Sequence, residues 1–82
     1  MSTISQWPWR RSLAIVRAGS AVQVESVLFG TVRSYCHGLG IRDGAVLECL
    51  TQDSSGVEIQ MPDGSRSRVP REYAWFISVQ GL

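Results

Sequence analysis

The alternation of apolar and polar positions changes period several times along this chain, and each change marks a boundary between elements. In "AVQVES", Val22 and Val24 alternate with Gln23 and Glu25, the twofold repeat of a strand with one dry and one wet face. The repeat then lengthens. Leu28, Val32, Tyr35, Cys36 and Leu39 fall at offsets of 0, 4, 7, 8 and 11, which places them on one stripe of an α-helix over about residues 29–38. Gly38, free of a Cβ, is expected to end that helix in the left-handed conformation of a C′ cap. Ala45 to Thr51 is again rich in strand formers, with Ala45, Leu47 and Cys49 facing inward and Val46, Glu48 and Leu50 outward. "TQDSSG" follows as a polar loop without a period.

The segment "VEIQMPDGSRSRV" predicts a hairpin in detail. A three-residue turn at Pro62, Asp63 and Gly64 makes the numbers of facing residues sum to 126. Val57 then faces Val69 and Ile59 faces Ser67 on the inner side, while Glu58 meets Arg68 and Gln60 meets Arg66 outside, with an ion pair expected between Glu58 and Arg68. Pro70 opens a short helical turn over about residues 70–75, and "WFISV" returns as the last strand. Nearer the start, Ser12 can cap a short apolar turn from Leu13 to Val16. Five short strands and one helix between the first two of them close most naturally as a small mainly β barrel, because an open sheet would leave bare edges.

Met1 to Arg11 stand apart from that rhythm. "WPWRR" combines two Trp and two Arg round Pro8 with no repeat, and reads as an extended arm preceding a domain over residues 12–82. Its indoles suit either the cover of a barrel edge or contact with a partner or a membrane surface.

Eighty-two residues suffice for one domain and leave little room for a deep cleft between lobes. Apolar residues make up 44% and charged residues 18%, enough for a core and too little charge for a disordered tail. A net charge of +1 supplies no general electrostatic pull toward nucleic acid or an anionic membrane. All eight basic residues are Arg, so those that engage something favour bidentate or stacking contacts. Two cysteines and the lack of a leader-like start suggest a reduced cytoplasmic protein, and no apolar run approaches the roughly 20 residues of a transmembrane helix.

"CHGLGIRDG" places Cys36 beside His37, the only histidine. On a helix the two point about 100° apart, a poor arrangement for gripping one metal ion, and only Cys49 remains as another soft donor where zinc takes about four ligands. No cofactor is expected. Ser54 and Ser55 near Asp53 lack a base and an orienting group, so no catalytic residues emerge.

Three stretches carry a family resemblance. They are "SLAIVRAG", a Leu-rich turn followed by Gly; Leu39, Gly40, Ile41 and Gly44 after the helix; and "VPREYA" with "FISV" at the end. In this order they resemble the FeoA family, small cytosolic SH3-like β-barrels that accompany the FeoB ferrous-iron transporter of bacteria, with similar domains at the C-terminus of iron-dependent repressors. The resemblance runs from about Leu13 to Val79. It implies a cytoplasmic, non-enzymatic accessory or regulatory protein of ferrous iron uptake, a monomer or weak oligomer that contacts the cytosolic GTPase part of a FeoB-like transporter. The contact residues expected under it are Leu39, Ile41 and Arg42 in the helix-to-strand turn, with Trp7, Trp9, Arg10 and Arg11 in the arm. For Leu39 and Ile41 the simpler role is to plug the end of the barrel. The alternative function is a small Sm-like or SH3-like barrel holding nucleic acid through Arg66, Arg68 and Arg71, opposed by the nearby Glu58, Asp63 and Glu72.

Overall fold

The computed structural model describes residues 10–82. Six antiparallel strands form one sheet in the order β1-β6-β2-β3-β4-β5. They are β1 (Arg10–Ser12), β2 (Ala21–Val27), β3 (Val46–Asp53), β4 (Gly56–Gln60), β5 (Arg66–Pro70) and β6 (Ile77–Gly81), with helix α1 (Gly30–Gly38) after β2 and the short α2 (Arg71–Ala74) before β6. The mainly β architecture is the expected one, with one strand more. Arg10 and Arg11, assigned to the arm by sequence, pair with Gln80 and Val79 of β6. Three residues are too few to show an alternation, so this edge strand leaves no period to read.

β1 and β5 end the sheet, and no ladder joins them among the described residues. The 3-10 turn Leu13–Ile15 and α2 pack there instead, against each other and against β4. Ser12 fastens this corner: its hydroxyl accepts the Ala14 N–H at 3.1 Å and donates to the Ala74 carbonyl at 2.9 Å. One core results, in which Leu13, Val22, Val24, Leu47, Val57, Ile59, Val69, Ile77 and Val79 are all 1% exposed or less.

Two bulges explain where the alternation breaks. In β2 the register skips Glu25, so Val22, Val24 and Val27 all turn inward although 24 and 27 differ by an odd number. In β3 it skips Leu50 in the same way. The polar "TQDSSG" is no loop: Thr51 to Asp53 complete β3, and only Ser54 and Ser55 turn the chain into β4. The β4–β5 hairpin keeps the predicted register in all five pairs, from Gly56–Pro70 to Gln60–Arg66. Gly64, at φ +91°, supplies the left-handed residue that a three-residue turn requires. The last strand starts at Ile77, leaving Trp75 and Phe76 ahead of it.

The C′ glycine stands two residues later than expected. Gly38 remains helical, Leu39 is the C-cap, and Gly40, at φ +86°, is the left-handed C′ residue. The Gly40 N–H donates to the His37 carbonyl at 3.0 Å and the Ile41 N–H to that of Cys36 at 2.8 Å, the two bonds of a Schellman motif. Its usual apolar contact brings Ile41 back over Cys36, and both are fully buried. Only part of the predicted stripe is dry. Val32 and Cys36 are buried, while Tyr35 is exposed, as is Leu28, which lies ahead of the helix that starts at Gly30.

Candidate docking surface

The helix-to-strand turn divides its three predicted contact residues. Ile41 is 0% exposed, so it plugs the core and is removed from any contact surface. Leu39 is half-buried and packs against the core, and Arg42 is exposed. Beside this turn lies a hollow of about 300 Å³, walled by Ala21, Val46, Glu48, Gln60, Met61 and Pro62. Met61 connects the two features, since its methyl lies 3.8 Å from where a Cβ on Gly40 would stand. Trp7 and Trp9 lie outside the described residues, as does the side chain of Arg10; Arg11 is exposed on β1.

The arginines of the alternative reading are mostly engaged with their own chain. Arg68 sits opposite Glu58 in the register, yet its guanidinium runs along the sheet to Asp53. Its Nη2 donates to both carboxylate oxygens at 2.8 Å and to the Ser55 hydroxyl at 2.6 Å. Asp53 is the better partner because the tight turn already aims its carboxylate. That group accepts the N–H of Ser55 at 2.8 Å, the N–H of Gly56 at 3.1 Å and the Ser55 hydroxyl at 2.7 Å. The Arg68 guanidinium first, and then these donors, hold the Asp53 carboxyl far below the usual carboxylate range. Arg71 donates to the Asp53 carbonyl at 3.3 Å and lies 5.4 Å from the ring centre of Trp75. Arg66 is exposed.

Neither thiol has reactive surroundings. Cys36 and Cys49 are free and buried, and burial pushes both upward from the ordinary thiol value. No three of the His, Cys, Asp and Glu side chains stand together as a metal site among the described residues.

A second surface went unread in the sequence. Leu28, Phe29, Trp75 and Phe76 are all exposed, and the Phe29 and Phe76 rings meet edge to face at 4.9 Å. Tyr35 and Tyr73 form a similar pair at 4.9 Å. Phe29 also holds the one non-glycine φ above zero among the described residues, 65°. A bulky residue there costs of order 1–3 kcal/mol, so an exposed ring is kept in place at the expense of the backbone. The available signal was the adjacency of two large apolar residues, Leu28–Phe29 and Trp75–Phe76, which in a strand would point to opposite faces.

This geometry has well-defined counterparts among solved structures. An iron uptake regulatory protein, FeoA, superposes with a TM-score of 0.83 over 90% of this chain and 100% of its own, at 22% identity. The chain has an FeoA-like fold. The FeoA protein from Chlorobium tepidum is 29% identical, with a TM-score of 0.73 over 87% of this chain and 70% of its own. A manganese-dependent transcriptional repressor also matches, at a TM-score of 0.83 and 20% identity over 94% of this chain. The FeoA-like chain spans only 39% of that repressor's length. No protein-family model matches the sequence, and no curated protein does. No helix among the described residues is long and apolar enough to cross a membrane.

Proposed function

We propose that this chain is a non-enzymatic accessory protein of ferrous iron uptake, acting in the cytoplasm by binding the GTPase-bearing part of a FeoB-like transporter. The observation that carries the reading is the superposition on an iron uptake regulatory protein along that protein's whole length. The contact surface is the helix-to-strand turn, where Arg42 is exposed and Leu39 half-exposed beside the hollow of Met61 and Glu48. Nucleic-acid binding is the weaker reading, because Arg68, in the middle of the set Arg66, Arg68 and Arg71, is committed to Asp53 and Ser55.

Calorimetric titration of the full chain into the purified cytosolic part of the transporter from the same organism tests the proposal. Saturable binding is expected, weakened about tenfold or more by Leu39→Ser with Arg42→Glu. Heat of dilution alone, or binding indifferent to those substitutions, counts against the partner or the surface respectively.

A further inference from the structure

Two neighbouring loops, between β2 and α1 and between α2 and β6, each present two consecutive large apolar side chains. Leu28 and Phe29 are 51% and 63% exposed, and Trp75 and Phe76 are 48% and 37%. The Leu28 N–H donates to the Phe76 carbonyl at 2.9 Å and the two Phe rings touch, so the loops form one patch. Its cations come from both sides. Arg33 donates to the Val27 carbonyl at 3.0 Å, next to Leu28, and Arg71 lies over Trp75. Glu25, three residues before Leu28, and Glu72, three before Trp75, are the carboxylates nearest in sequence, and Glu25 accepts the Ser78 hydroxyl at 3.3 Å.

Shape, area and charge together select an occupant. The patch is made of exposed side chains at loop ends, and none of them lines the hollow beside Met61. A helix of another protein would need a groove; a bilayer accepts protruding side chains. Four partly exposed side chains offer on the order of 400–500 Å², short of the roughly 800 Å² that each side of a stable protein pair buries. Aromatic rings with flanking guanidiniums are also the composition favoured at the boundary between headgroups and acyl chains. We propose that this face docks on an anionic lipid bilayer, with Leu28, Phe29, Trp75 and Phe76 entering the headgroup–acyl boundary and Arg33 and Arg71 meeting lipid phosphates. This surface is separate from the helix-to-strand turn, so the protein could rest on the membrane while that turn engages a transporter.

Flotation of the full chain with vesicles of phosphatidylcholine and phosphatidylglycerol at 3:1 decides the matter. The wild-type chain is expected to float with them, and Phe29→Ser with Phe76→Ser to lower the bound fraction about fivefold or more. Trp75→Ser alone, which removes no ring from the Phe pair, should also lower it, which guards against a double variant that does not fold. Arg33→Gln with Arg71→Gln should abolish the advantage of these vesicles over pure phosphatidylcholine. Trp7→Ser with Trp9→Ser should float as the wild type does. The proposal fails if the wild-type chain stays in the aqueous layer, if the Ser variants float undiminished, or if only the arm variant is lost. It also fails if the chain ignores vesicles but sediments as a dimer that Phe29→Ser dissociates, or loses its hold on a protein partner through the same rings. Failure would leave the transporter reading untouched, because that reading is tested with a soluble partner and through Leu39 and Arg42.

Discussion

At Phe29 two terms of similar size oppose each other. The strained backbone, φ 65°, costs of order 1–3 kcal/mol, and the edge-to-face contact with Phe76 returns about 0.5–1.5 kcal/mol. Phe29→Gly should therefore leave stability within about 1 kcal/mol of the wild type by urea denaturation; a loss of about 3 kcal/mol or more would make the ring structural instead of functional. Gly40 presents the opposite case. A Cβ there has room, its nearest neighbour being Met61 at 3.8 Å, so strain at φ +86° and not collision sets the cost. Gly40→Val should destabilise by about 1–2 kcal/mol, and an unchanged melting curve would contradict the Schellman turn. The sequence did reveal that a glycine near "HGLG" ends the helix, but it pointed to Gly38. Choosing between two glycines two residues apart depends on how far the last turn winds, which is decided by Ile41 finding its place over Cys36 in the core.

The hairpin β4–β5 was legible to the residue because its turn chemistry and its alternation agree, and a slip of one would have turned Arg66 and Arg68 toward the core. Its neighbour β3–β4 was not, since Thr51, Gln52 and Asp53 carry no apolar period and are held by the Leu50 bulge and by ladder bonds that composition does not record. That turn makes a prediction about acid. The Asp53 carboxyl is held lower in the folded chain than its ordinary value of 3.8, and Asp63, bonded by Ser65, is shifted the same way. Their contribution is therefore complete above the unfolded value and is lost as pH falls toward the folded one. The urea midpoint should hold steady from neutrality to about pH 5 and decline below about pH 4, with a shallower decline in Asp53→Asn; identical profiles would show that the Arg68 clasp adds nothing in solution. Gly56, at the start of β4, is more demanding. A Cβ there would meet the Val69 carbonyl oxygen at 2.5 Å, which is backbone and cannot swing aside. Gly56→Ala should cost about 2 kcal/mol or more in the same assay.

For the molecule as a whole, the decisive boundary is between Trp9 and Ser12. Removing residues 1–9 leaves β1 and the Ser12 corner in place and sets the reference melting temperature. Removing residues 1–12 takes away both the edge strand and the bonds to Ala14 and Ala74, and should lower it by several degrees. The fold class was readable because strand periods, turn residues and the Leu-Gly turn all point the same way. The docking face was harder to read, because whether Leu28 or Phe76 lies inside depends on how α1 and α2 lean on the sheet, a tertiary fact with no local pattern. What joins these scales is the claim that the protein works by presenting a surface to the machinery of ferrous iron uptake. Accumulation of radiolabelled ferrous iron in cells lacking this chain tests that claim most directly. The account predicts impaired uptake, restored by the wild-type chain and equally by His37→Ala, and not restored by Leu39→Ser with Arg42→Glu at matched protein levels. Uptake that is indifferent to the deletion, or rescue that depends on His37 and not on the turn, would contradict it.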